Sequence, residues 1–184
     1  MAGPPPDAVR YPAAPPSTLV VMGVSGCGKS AIAQLLAAQL GWACLEGDAL
    51  HAPASIAKMR AGIPLDDDDR RGWLLRLRHC IGAAHAAREP LVLTCSALKR
   101  RYRDRLREGD PALAFVHLQA PPEVLEARMH ERSHFMPPTL LASQLGELEA
   151  LQADERGAAF DATAARDVIV AEIIRCFRMP RIGL

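Results

Sequence analysis

Apolar positions in this chain follow two rhythms. Thr18-Leu-Val-Val-Met22, Leu91-Val-Leu-Thr-Cys95 and Ala114-Phe-Val-His-Leu118 are apolar at successive positions and rich in β-branched residues. Runs of that kind read as strands buried on both faces. Between them the apolar residues recur at helical spacing. Ser30 to Leu40 has that period, and so does Arg70 to about Arg88, whose stripe is Trp73, Leu77, Ile81 and Ala84. After the helix-ending Gly41, the short apolar run Trp42-Ala-Cys-Leu45 predicts a second strand that ends at Asp48. Residues 55–61 predict a short helix and residues 98–107 a basic one. Pro121-Pro122 opens a helix to about Arg132, and Pro137-Pro138 opens another to about Leu151, because proline suits a first helical turn. Ala158 to Thr163 is read as the last strand and Arg166 to Phe177 as the last helix, with Val168-Ile-Val170 as an alternative strand.

Strands alternating with helices predict an α/β fold: three layers, with a five-stranded parallel sheet covered by helices on both faces. Ligands in such sheets bind beyond the carboxyl ends of the strands, where the strand order reverses. That rule gathers residues 23–30, Asp48 and Ser96 at one rim.

Residues 23–30, Gly23, Val24, Ser25, Gly26, Cys27, Gly28, Lys29 and Ser30, fit G-x-x-x-x-G-K-[ST] between a strand and a helix. Glycines let successive backbone N–H groups turn inward as an anion nest, and the following helix points its positive end at the same place. Lys29 then reaches the β- and γ-phosphates of a nucleoside triphosphate, and the Ser30 hydroxyl ligates Mg²⁺. A thiol inside such a nest is expected to have a lowered pKa, so Cys27 is expected to be oxidisable.

Asp48 leaves the end of a strand expected to neighbour this loop. It either accepts a proton from a substrate hydroxyl or orients a Mg²⁺-bound water. In many phosphate-loop enzymes an apolar strand such as Leu91–Cys95 ends in an acidic residue; here it ends in Ser96, which turns attention to Asp48 as the carboxylate and as a second metal group. Arg128 and Arg132 share a helix face and, on a flap, would close over the transferring phosphate. His51 and His134 are the two histidines placed near the site. Asp66 to Asp69 precede a helix whose dipole favours them.

Composition narrows the setting. At 184 residues the chain reads as one domain from residue 18 to 184, preceded by a proline-rich extension, residues 1–17, with 6 of the 15 prolines and expected to be disordered. A net charge of +1 creates no global field for nucleic acid or membrane, and no run of eighteen apolar residues exists. The basic run Lys99 to Arg107 is broken by acids and reads as a solvated helix face. Five widely spaced cysteines without a C-x-x-C pair suggest a reducing cytoplasm rather than disulfides or zinc. A GTPase-type switch would need an N-K-x-D motif, which is absent.

With those residues in place, the chain resembles the gluconokinases. The matching segments are Gly23 to Ser30, Glu46-Gly-Asp-Ala-Leu-His51, Lys58-Met59 with Gly62-Ile-Pro-Leu-Asp-Asp-Asp-Asp-Arg70 and Trp73, Cys95-Ser-Ala-Leu-Lys-Arg-Arg-Tyr-Arg103, and His134-Phe-Met-Pro137 leading to Ser143-Gln144 and Leu148-Glu149. They run in order across about residues 18–177. The resemblance implies a nucleoside monophosphate kinase-like fold with a lid around residues 128–137. It implies ATP and Mg²⁺ as cofactors, D-gluconate as substrate and a homodimer, with no nucleic acid or membrane partner. Asp48 would face the substrate hydroxyl. His51, Lys58, Arg60, Asp69, Arg70, Lys99 and His134 become candidates for the sugar acid's carboxylate and hydroxyls, and adenine contacts fall near Thr163 to Arg166. A shikimate-kinase-like enzyme is the alternative within the same fold.

Overall fold

The computed structural model describes residues 14–131 and 139–180. Its strands are β1 (Thr18–Met22), β2 (Ala43–Glu46), β3 (Leu91–Thr94), β4 (Ala114–Gln119) and β5 (Gly157–Asp161). They form one sheet in the order β2-β3-β1-β4-β5, and every pairing is parallel. After β1 the chain builds to one side and then, from β4, to the other, so the order reverses at β1. The helices among the described residues are α1 (Lys29–Leu40), α2 (Pro53–Arg60), α3 (Asp67–Ala87), α4 (Arg100–Arg107), α5 (Pro122–Glu131), α6 (Thr139–Glu147) and α7 (Arg166–Cys176).

β1 shows why its sequence is apolar after Thr18. All five residues are buried, and the strand alternation sends them to two different cores. Leu19 and Val21 join Leu36 of α1, Leu125 of α5 and Ile173 of α7. Val20 and Met22 join Trp73, Leu77 and Ile81 of α3 and Leu106 of α4. The three-layer expectation is thus met, and the helical stripe Trp73, Leu77, Ile81 is the face that covers the second side.

Several boundaries move, each for a local reason. α3 begins at Asp67 rather than Arg70, because Asp66 and Asp69 close a reciprocal capping box: the Asp69 N–H donates to the Asp66 carboxylate at 2.8 Å, and the Asp66 N–H to the Asp69 carboxylate at 3.1 Å. β2 stops at Glu46, and Gly47–Leu50 forms a single 3-10 turn that carries Asp48. α4 starts at Arg100, α6 ends at Glu147, and Val168–Val170 lies inside α7. β2 is also not the neighbour of β1, since β3 lies between them. Residues 14–17 join the domain, with the Leu91 N–H donating to the Ser17 carbonyl at 2.9 Å. Residues 1–13 of the proline-rich extension, and Arg132, His134 and Pro137-Pro138, lie outside the described residues. No helix among the described residues is long and apolar enough to cross a membrane.

Candidate active site

The phosphate loop leaves the carboxyl end of β1 and enters α1. Gly26 and Gly28 take left-handed conformations, φ 83° and φ 93°, which strain any residue with a Cβ. Gly28 caps α1, whose first-turn N–H groups have no intrahelical acceptors and face the loop. Lys29 Nζ donates to the Val24 carbonyl at 3.1 Å, and Ser30 is exposed in the first turn. The Ser25 N–H donates to the Gln144 side-chain carbonyl at 2.7 Å, so α6 touches the loop directly.

Cys27 corrects the expectation of a reactive thiol. Its side chain is 2% exposed and belongs to the core under α1, while only the loop backbone faces the nest. Burial pushes the thiol pKa up, outweighing Lys29 and Arg128, which pull it down.

A cleft opens between the loop, the 47–50 turn, the α2–α3 connection and α6. It brings Ser25, Lys29, Asp48, His51, Arg70 and Ser96 together, with Met59, Leu65 and Leu140 as an apolar wall. Although β2 is one strand removed from β1, the turn after it carries Asp48 to the cleft. That turn is pressed against the end of β3. A Cβ on Gly47 would lie 2.0 Å from the Thr94 carbonyl oxygen, which only glycine avoids. The Gly47 N–H donates to Thr94 Oγ1 at 3.0 Å, Trp73 Nε1 donates to the Gly47 carbonyl at 2.8 Å, and the Thr94 hydroxyl donates to the Glu46 carboxylate. Ser96 joins the two sides, accepting the Gly23 N–H on its carbonyl at 3.3 Å.

His51 stacks on Trp73, with ring centroids 4.2 Å apart and planes 14° from parallel. Burial, reinforced by Arg70 and Arg76, pushes its pKa down to about 4, so it is a neutral imidazole at pH 7. Its Nδ1 is buried and has no hydrogen-bond partner among the described residues. Arg70 is 7% exposed; its Nε donates to the Leu65 carbonyl at 3.3 Å and its Nη2 pairs with Glu147 at 3.2 Å.

Other candidates are not brought into this cleft. Lys58 and Asp69 pair with each other at 2.7 Å, and Arg60 is exposed at the end of α2. Lys99 pairs with Glu147 at 3.0 Å and Asp67 at 3.4 Å. Arg128 faces a second cleft on the far side of the loop, donating from Nη2 to the Ala162 carbonyl at 2.9 Å. Gly26, Gly28, Ile32, Ala164, Arg166 and Ile169 line that cleft as well, which puts the 162–166 segment beside the phosphate loop. Each arginine of the basic run is neutralised: Arg100 by Asp104 and Asp154, Arg101 by Asp67, Arg103 by Glu155, Arg105 by Glu108 and Arg107 by Asp104.

Among the described residues no three His, Cys, Asp or Glu side chains converge as a metal cage. One hydroxyl and one carboxylate are what remain, a donor set that suits Mg²⁺ carried in by a nucleotide, because that ion keeps waters and phosphate oxygens as ligands. Sequence reasoning missed Glu147 and the contact of Gln144 with the loop. The signal was present as spacing: Leu140, Ser143, Gln144 and Glu147 stand at i, i+3, i+4 and i+7, one helical face.

A parallel sheet with this loop at its order reversal and a carboxylate across the cleft defines a phosphate-loop kinase. A family model described as an AAA domain matches residues 19–151. The gluconokinase of Gluconobacter oxydans (strain 621H) is 47% identical over 168 residues, covering 89% of this chain and 92% of that protein. A gluconokinase structure from Sinorhizobium meliloti 1021 is 48% identical, with a TM-score of 0.79 over 90% of this chain and 93% of that one. An unliganded sugar kinase from Janibacter sp. HTCC2649 is 45% identical, with a TM-score of 0.86 over 90% and 96%. The chain belongs to the gluconokinase family.

Proposed function

We propose that the chain transfers the γ-phosphoryl group of ATP to the 6-hydroxyl of D-gluconate, giving 6-phosphogluconate and ADP. The observation that carries this reading is that Asp48 and the buried cation Arg70 share one cleft with Lys29 and the phosphate loop. A polyhydroxy acid needs a cation at its carboxylate end and acceptors for its hydroxyls. Arg70 supplies the first, and Asp48 with neutral His51 supplies the second.

In the transfer, the substrate's 6-oxygen bonds to the γ-phosphorus while the bond from that phosphorus to the β,γ-bridging oxygen breaks. The hydroxyl proton passes to Asp48, or to a water that Asp48 orients. Lys29 leaves the Val24 carbonyl for the phosphates, and the Ser25 N–H exchanges the Gln144 oxygen for a phosphate oxygen. Ser30, with Asp48 through water, would hold Mg²⁺, which when bound neutralises charge across the β- and γ-phosphates. Positioning and charge stabilisation supply most of the acceleration in such reactions. The second cleft suits the adenosine, with Ile32 and Ile169 as apolar walls and Arg128 and Arg166 as flanking cations. Arg132 and His134 are assigned to the lid on resemblance alone. A reducing cytoplasm is proposed from the cysteines' wide spacing and the lack of a C-x-x-C pair in the sequence.

A coupled ADP assay over gluconate, shikimate and nucleoside monophosphates tests the assignment. Gluconate is expected to exceed the others by about 10²-fold or more in kcat/KM; a flat profile, or shikimate leading, overturns it. The proposed homodimer is tested by light scattering, where a mass of 19.9 kDa would mean a monomer.

A further inference from the structure

The inner face of α6 is the wall that meets both halves of the cleft. Leu140 packs with Met59 and Leu65 in a small apolar cluster separate from the two main cores, and Ser143 and Gln144 line the cleft beside it. Glu147 completes the stripe one turn on and divides its carboxylate between two cations. Its Oε2 accepts from Arg70 Nη2 at 3.2 Å and its Oε1 meets Lys99 Nζ at 3.0 Å. Tyr102 lies under both, with its ring centroid 5.6 Å from Arg70 Cζ and 5.5 Å from Lys99 Nζ.

The two cations are not equivalent. Arg70 lines the cleft, whereas Lys99 and Glu147 do not, so the carboxylate grips the guanidinium from outside the cleft. With Nε on the Leu65 carbonyl and Nη2 on Glu147, two corners of the planar fork are fixed, and Nη1 has no hydrogen-bond partner among the described residues. A buried guanidinium pinned in this way presents one defined edge, and a carboxylate recognises such an edge by direction as well as charge.

We propose that Glu147 is a positioning residue of the sugar-acid site. It fixes Arg70 so that the free edge meets the substrate carboxylate, and it holds Lys99 as a counter-cation outside the cleft. This rests on the reading of Arg70 as the partner of that carboxylate, and the test separates the two. In the full-length enzyme, E147A and E147S remove the grip and are expected to raise the KM for gluconate about tenfold. The KM for ATP and kcat should stay within about twofold, since the reacting groups are untouched. E147Q keeps an oxygen for Nη2 and should return the KM to within about threefold of the parent. The double variant R70A/E147A should be no worse than R70A, because both changes remove one unit. An unchanged KM in E147A and E147S overturns the proposal. So does a lowered KM, which would mean that the carboxylate competes with the substrate, or an additive double variant. If R70A raises the KM while the Glu147 variants are silent, the positioning role alone fails; if R70A is itself silent, the reading of Arg70 fails with it.

Discussion

The two sides of the cleft are built on different principles. The phosphate side is eight consecutive residues whose proposed contacts come from the backbone: three glycines at positive φ, a helix start and one lysine. The acceptor side is assembled from the 47–50 turn, α2, α3 and α6, and its geometry is kept by side chains that reach across the fold. Trp73 holds Gly47 and stacks on His51, and Arg70 is held by Glu147, 77 positions away in sequence. A backbone site tolerates exchange of its side chains, as Cys27 illustrates by turning its thiol into the core. An assembled site transmits any change in its supports to the substrate.

The largest effect expected on that comparison comes from Asp48→Asn, at the reacting group proposed for the acceptor side. It should lower kcat about 10²–10⁴-fold, and steady-state kinetics that show only a KM change would contradict its role. Gly47→Ala comes next, because the added Cβ would meet the Thr94 carbonyl at 2.0 Å. The strain should cost about 3 kcal/mol, seen as a Tm lower by about 10 °C. It should also reduce turnover by displacing Asp48. An unchanged Tm would show that the turn is not clamped.

Acid sensitivity is a smaller and graded effect. Burial pushes both His51 and His117 down to about 4, so between about pH 6.5 and pH 4 the unfolded chain binds protons that the folded one excludes. Stability is therefore complete above that window and falls as the pH falls through it. Thermal melts across the window should have a shallower slope in His51→Gln than in the parent. Because His51 stays neutral, it should add no inflection to kcat/KM near pH 6.5. The smallest effect belongs to Lys58→Ala, since that side chain pairs with Asp69 and does not line the cleft. The KM for gluconate should move by no more than about twofold; a tenfold rise would return Lys58 to the acceptor site.

The phosphate loop could be read directly because all its determinants are adjacent, and β1, β3 and β4 could be read because strands buried on both faces carry continuous apolar runs. Asp48 was reachable by reasoning, from Ser96 standing where an acid was expected, although β2 was placed one strand too close. The choice among the cations was not legible. Lys58, Arg60, Arg70 and Lys99 are equal in sequence, and only the cleft separates Arg70 from the others. Glu147 was invisible for the same reason, despite lying on a legible helical stripe.

The sequence by itself determined the alternation of strands and helices, the anion nest and the residue types available to the acceptor. Short-range sterics, helix dipoles and apolar periodicity act within a few residues and leave their mark in order. The tertiary structure alone decided which of those residues face the cleft. Inserting β3 between β1 and β2, and laying α6 across the rim, brings together charges that are 77 positions apart. A buried cation takes the direction that its partner allows, and that partner is chosen by packing rather than by its place in the chain.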